Sequence, residues 1–253
     1  MAYKINCTNL PVLNKLQTNL SNSHRFQRSE LKCRAQTRQE TQLQASGVAY
    51  RVDFQTLRSC KLGIARYPDF EYNANGGTGT AIGRHTGLAA GAKDDDISVS
   101  FNVETLYIPA LTCETTRFLG LPLPPFLKIE IVPEAFEGTI NKTSGKVDLQ
   151  FRAKFWFSVG RLYRAPPLLV DTTLTSEESI GNMREGKGER IDEEGRCRLV
   201  GVATVDPIDD VLMNSFLGLP TECIAIMDAK ILITDTNSSP TLWCKNDSLS
   251  QSK

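Results

Sequence analysis

Between Val147 and Phe157 apolar and polar side chains alternate without a break. Val147, Leu149, Phe151, Ala153, Phe155 and Phe157 fall on one parity, and Asp148, Gln150, Arg152, Lys154 and Trp156 on the other. Strict period two means a strand with one buried and one wet face. Phe136 to Ile140 and the turn residues Lys142-Thr143-Ser144-Gly145 come just before it, so the two runs are expected to form a hairpin. At ~3.4 Å per residue such a strand is about 37 Å long, which favours a curved or coiled sheet over a small sandwich.

Further strands are expected at Tyr50 to Leu57, Ile97 to Leu106, Lys128 to Val132, Leu168 to Thr175, Arg196 to Val205 and Cys223 to Thr234. The turn Asp192-Glu193-Glu194-Gly195 suggests a second hairpin leading into the Arg196 strand. Apolar residues occupy both parities of that strand, Cys197, Leu199, Ala203 and Val205 against Val200 and Val202, so both of its faces are expected to be covered. No βαβ alternation is visible. The fold class predicted is mainly β: a large antiparallel, strongly curved sheet or closed barrel with one or two short helices.

The helical signal centres on a pentapeptide that occurs twice, Phe118-Leu119-Gly120-Leu121-Pro122 and Phe216-Leu217-Gly218-Leu219-Pro220. Before the second copy, Asp206 suits an N-cap and Pro207 the first helical position, and Ile208, Val211, Leu212 and Phe216 form a stripe at helical spacing. Gly218 then reads as a left-handed cap and Pro220 as a stop. The first copy has the same ending, with Pro109 at a possible helix start, although Thr112, Thr115 and Thr116 weaken that helix. Both copies read as architecture, because the pentapeptide holds no proton-transfer, metal-binding or nucleophilic group.

Charge divides the chain. Residues 1–45 hold seven Lys or Arg (Lys4, Lys15, Arg25, Arg28, Lys32, Arg34, Arg38) against Glu30 and Glu40, a net of +5. The totals of 29 basic and 29 acidic residues therefore leave 22 and 27 in 46–253, a net of −5. With its Asn, Ser, Thr and Gln, its missing secretory core and the run Leu31-Lys32-Cys33-Arg34-Ala35, residues 1–45 read as a plastid transit peptide and linker. Residues 48–235 read as a single β-rich domain and 236–253 as a disordered, Ser-rich tail holding Trp243. The expected address is the chloroplast, in the stroma or on the stromal side of the thylakoid. No run approaches the ~18 apolar residues of a membrane-spanning helix, and the acidic mature chain argues against nucleic acid.

Candidate chemistry is sparse. After the presequence with its His24, the chain holds one histidine, His85, and five cysteines without CxxC spacing, Cys60, Cys113, Cys197, Cys223 and Cys244. Neither a metal site nor a disulfide framework is indicated. The Gly-rich run Gly76 to Gly83 lacks phosphate-loop spacing and reads as a mobile or hairpin-forming loop. The acidic groups Asp94-Asp95-Asp96, Glu177-Glu178 and Asp192-Glu193-Glu194 read as solvated turns. No catalytic residue is assigned and the chain leans away from an enzyme. The candidate binding residues are Arg152, Lys154 and Trp156 on the polar face of the long strand, with Arg161, Tyr163 and Arg164 after it. Facing inward they would line a cavity for an amphipathic anionic ligand; facing outward they are an ordinary solvated face. Periodicity leaves both orientations open.

The stretch Leu106-Tyr107-Ile108-Pro109 through Leu123-Pro124-Pro125, with Arg161-Leu162-Tyr163-Arg164-Ala165-Pro166 and Val200-Gly201-Val202-Ala203-Thr204-Val205, resembles an uncharacterised β-rich protein family shared by plant plastids and cyanobacteria. The likeness covers most of residues 50–235 and brings no catalytic or ligand residue with it. It implies a role linked to photosynthetic membranes. The function expected is a non-enzymatic plastid binding or assembly factor, with a lipid or pigment ligand or a thylakoid protein as partner. The alternative is a carrier of a lipid, pigment or isoprenoid inside a β-barrel.

Overall fold

The computed structural model describes residues 49–85 and 95–236; the expected presequence, the tail with Trp243 and residues 86–94 lie outside the described residues. Within them the chain forms β1 (Ala49–Thr56), β2 (Cys60–Ile64), β3 (Phe70–Tyr72), β4 (Thr78–His85), β5 (Asp96–Phe101), β6 (Thr116–Phe118), β7 (Leu121–Pro122) and β8 (Leu127–Asn141). There follow β9 (Val147–Val159), β10 (Tyr163–Arg164), β11 (Leu168–Thr175), β12 (Glu178–Ile180), β13 (Glu185–Lys187), β14 (Arg196–Val205), α1 (Val211–Leu217) and β15 (Thr221–Asp235).

Eight strands close a ring in the order β1-β4-β5-β8-β9-β11-β14-β15, with β15 pairing back onto β1, all antiparallel. The expected curved sheet or barrel is thus a closed barrel. The longest strands carry two partners in succession. Residues Ala229 to Asp235 of β15 pair with β1, while Cys223 to Ile226 pair with β2. From β2 the wall continues through β3 and β6, and a Leu111–Ile129 bridge ties this wall back to β8. The barrel therefore has two halves that share β8, β9, β11, β14 and β15.

The predicted hairpin at Val147 is β8–β9, and it is longer than expected. The two short runs at Lys128 and Phe136 belong to the one strand β8, whose register shifts between Pro133 and Ala135. Proline has no N–H to give to a ladder, so it sits at the irregularity, and that is why the sequence read as two strands. The Arg196 strand, β14, is covered on both faces as expected. Leu199 packs inside the barrel, while Val200 is fully buried on the other side, where β12 and β13 lie and Ser179 Oγ accepts the Val202 N–H at 3.0 Å.

Three expectations need correction. The helix begins later: α1 is capped by Asp210, whose side chain accepts the Met213 N–H, and Met213 and Leu217 form its buried side, while Val211, Leu212 and Phe216 of the expected stripe are exposed. Gly218 does end it in the left-handed conformation, φ 70°. The first pentapeptide copy is no helix end. Leu119 and Gly120 both take positive φ, 51° and 78°, and turn β6 into β7; two successive positive φ values match the tight hairpin turn of primed type. The glycine run is mostly strand β4, not a loop. Gly79, Ala81 and Gly83 face the interior, where a Cβ on Gly83 would stand 2.5 Å from Ile97 and one on Gly79 2.6 Å from Leu106. Small residues are needed there because the aromatic core takes the room.

In the half closed by β1, β4 and β5, that core is a cluster of Phe54, Phe101, Phe136 and Phe151, with ring centroids 4.6–5.8 Å apart. These four rings plug the barrel. Outside, Arg152–Asp171 at 2.5 Å, Lys154–Glu134 at 2.5 Å and Arg198–Asp228 at 2.8 Å cover the strands with ion pairs. Charges outside and an apolar interior are the reverse of a membrane-spanning barrel. No described helix is long and apolar enough to cross a membrane.

Candidate functional site

The other half of the barrel is hollow. Beyond the phenylalanine plug lies a cavity of about 390 Å³, within the range of small-molecule sites. Leu62, Ile129, Phe155, Phe157, Val170 and Met227 are among its lining residues, contributed by β2, β8, β9, β11 and β15. These are the inward parities of long strands. The same alternation that fills one half of the barrel lines the void in the other.

Three hydroxyls on the lining are already engaged. Tyr72 donates to the Pro109 carbonyl, Thr172 Oγ1 to the Val202 carbonyl at 2.8 Å, and Tyr67 Oη to the Phe216 carbonyl at 2.6 Å. No buried side-chain nitrogen or oxygen among the described residues lacks a partner. Burial pushes the Cys60 and Cys223 thiols up to about 11, so both stay neutral and act as small apolar groups. A water molecule needs two to four polar partners to settle in a cavity. This lining is almost wholly apolar, which suits a hydrocarbon and suits water poorly.

Both copies of the pentapeptide come to one end of this cavity. Their phenylalanines, Phe118 from the end of β6 and Phe216 from α1, both meet the ring of Tyr67, at 6.4 and 5.6 Å between centroids, and all three line the cavity. Phe216 is 49 % exposed, so it touches the cavity and the solvent together and marks the mouth. The repeat thus supplies two aromatic side chains to one opening from two unlike backbones.

Helix α1 is fixed beside that mouth. Tyr163 Oη donates to Asp210 Oδ2 at 2.7 Å, and Arg66 Nη1 to the Ser215 carbonyl at 3.1 Å. Burial and the Asp210 carboxylate push the Tyr163 phenol up to about 12, so it remains a donor in neutral solution. On the flank, Glu222 accepts the backbone N–H groups of Asn182, Met183 and Arg184 at 2.7, 2.7 and 3.1 Å, pinning the β12–β13 turn. The Asn182 and Met183 amides hold this carboxyl below its ordinary value of 4.5. A carboxyl lowered in the folded state contributes stability that is complete above its unfolded value and is lost as pH falls through the lower folded value. Glu222→Gln is therefore expected to lower the melting temperature near neutrality and to flatten its further decline below pH 4.5, as thermal melts across pH would show.

None of the six sequence-predicted binding residues lines the cavity. Arg152 and Lys154 stand on the outer face of β9 in the ion pairs given above, and Trp156 shares that face with the Arg164 guanidinium 4.6 Å over its ring. Arg161 is exposed in the β9–β10 turn, and Tyr163 ties β10 to α1. His85 meets Tyr50 Oη at 2.8 Å at the plugged end. No group of three or more His, Cys, Asp or Glu among the described residues could hold a metal ion. The residues that line the cavity were instead the ones the pattern assigned to core. Comparison with protein-family models, with curated proteins and with solved structures finds no match to this chain.

Proposed function

We infer that this protein is a non-enzymatic binding protein whose half-hollow barrel takes up a hydrocarbon chain: the tail of a lipid, an isoprenoid or a pigment. The observation that carries the reading is the cavity itself, about 390 Å³ with an almost wholly apolar lining. At about 0.8 kcal/mol per buried methylene, ten methylenes supply about 8 kcal/mol before the cost of association. Long chains are therefore retained and short ones are not. Of the two roles expected from the sequence, carrier and assembly factor, the cavity favours the carrier. The transit-like composition of residues 1–45 supports a plastid address for it.

The test is organic extraction and mass spectrometry of the full chain purified from its natural source, with retention of a fluorescent fatty acid by the recombinant chain as the second arm. A co-purifying molecule with a long alkyl or isoprenoid tail, or saturable retention of the probe, is the expected result. An empty extract together with no probe retention would remove the carrier reading.

A further inference from the structure

The mouth of the cavity is ringed by exposed apolar side chains. Leu119 stands in the β6–β7 turn, Phe126 just before β8, Leu162 in the β9–β10 turn, and Val211, Leu212 and Phe216 on α1. Exposure reaches 94 % at Leu162 and 83 % at Val211. These positions are far apart in sequence, and the fold gathers them. Leu127 of β8 pairs with Val159 of β9, and the Gly160 N–H donates to the Phe126 carbonyl at 2.8 Å, so Phe126 and Leu162 flank one corner. The Tyr163–Asp210 hydrogen bond brings α1 to that corner, and Tyr67 joins α1 to the β6–β7 turn through Phe216 and Phe118. An apolar rim of this kind marks an interaction surface, because soluble proteins rarely leave such residues clustered in water.

We propose that this rim docks the open end of the barrel onto a phospholipid bilayer, where the cavity exchanges its hydrocarbon ligand with the membrane; the proposal rests on the carrier reading and names the partner of the same site. Three observations select a bilayer. First, the rim runs continuously into the cavity through Phe216, which is exposed on one side and lines the cavity on the other. A ligand that is poorly soluble in water then passes from one apolar phase to another without crossing water. Second, the apolar residues project from three loops and the outer side of a short helix, the form that inserts into the headgroup boundary, where the apolar side sinks about 5–10 Å. Exposed guanidinium groups accompany them: Arg66, Arg117 and Arg161 lie at this end, the first two donating to the backbone carbonyls of Ser215 and Gly120. Such groups pair with lipid phosphates while their stems lie along the acyl boundary. The exposed Asp206 and Asp209 offset part of that charge, so apolar insertion rather than net charge drives the contact.

Third, the chain outside the described residues leaves from the opposite end. Ala49 pairs with Arg84, Tyr50 with Asp235 and His85 with Ile97, so the four junctions with the three undescribed stretches of backbone lie beside the phenylalanine plug. Trp243 follows Thr236 by seven residues, a reach of at most about 25 Å. The length of β15, which separates Thr236 from the mouth, is roughly 45 Å for fifteen residues. That tryptophan cannot cover the rim of its own barrel.

The experiment is flotation of the full chain with vesicles of phosphatidylcholine. The lipid is neutral, so the basic residues 1–45 do not drive binding by charge. The wild-type chain is expected to float with the vesicles, and the double variant Leu162→Asp with Val211→Asp to bind roughly 100-fold more weakly. Both residues are exposed and neither lines the cavity, so the variant is expected to keep its melting temperature and its retention of a fluorescent fatty acid in solution. Failure of the wild-type chain to float, or equal flotation of the variant, overturns the docking proposal whatever the probe shows. Loss of probe retention with flotation intact strikes the carrier reading and leaves the docking surface standing.

Discussion

Replacing Phe54 by alanine is expected to lower stability by about 3–5 kcal/mol, while Phe157→Ala costs about 1–2 kcal/mol. Both are inward phenylalanines on ring strands, and the difference lies in what surrounds them. Phe54 is 2 % exposed and is wedged edge-on against Phe101 and Phe136, at 5.8 and 5.2 Å between centroids. Removing its ring leaves a cavity in a rigid aromatic plug that is held by closed strands on all sides and cannot collapse. Phe157 already looks onto the void and has a ring neighbour only at 6.4 Å, in Phe216. Its atoms have fewer partners to lose. Denaturant unfolding of the two variants reads the difference directly, with the slope unchanged if both remain two-state. Equal costs would mean that the half lined by Phe157 is as tightly packed as the plug. The binding assay is expected to rank them the other way: Phe157→Ala alters retention of a fatty-acid probe, and Phe54→Ala leaves it in place in the folded fraction.

The long strand β9 was legible because its alternation is strict, and its length, with the many strands around it, announced a curved sheet. Strand β14 was legible on both faces, since Val200 and Val202 broke the alternation in the way a second covering layer requires. Less was visible where tertiary contacts outweigh local pattern. The glycines of β4 look like a loop because Gly79 and Gly83 carry no side chain to declare a parity, and the reason for them, the crowding by Leu106 and Ile97, is distant in sequence or across the sheet. The helix start was misplaced because Asp206 and Asp210 are both good caps, and the Asn214 side chain, which accepts the Ile208 N–H and donates to the Ile208 carbonyl, helps hold residues 206–209 out of the helix. The cavity was hidden in principle. An inward Phe155 that lines a void and an inward Leu149 packed in the plugged half have the same pattern; what separates them is the change of neighbours from β1, β4 and β5 to β2, β3 and β6 along the same long strands. The cationic residues of β9 drew attention as the obvious chemistry, although strict alternation places them opposite the phenylalanines, and the phenylalanines face inward.

Filling the cavity is expected to raise stability and weaken retention of a fatty-acid probe together. Ala203 on β14 and Ala225 on β15 both line the void, and both are small. Phenylalanine at either site places a ring where the structure has only empty space, so lining atoms that face no partner gain contacts. Cavity filling commonly adds about 0.5–2 kcal/mol, against a cost of about 1–3 kcal/mol where a new ring is forced into occupied space. The void of about 390 Å³ decides for the gain. The same ring takes the volume a hydrocarbon chain needs, and retention of a fluorescent fatty acid is expected to fall by about 100-fold, equivalent to about 2.7 kcal/mol. The two readouts move in opposite directions, which a general disruption of the fold cannot imitate. Made separately, Ala203→Phe and Ala225→Phe approach the cavity from neighbouring strands and guard against a local clash at either one. Higher melting temperature with unchanged probe retention in both variants would place the probe's site outside the cavity and remove the carrier reading. A lower melting temperature in both would mean that the hollow half of the barrel closes in solution around its own side chains.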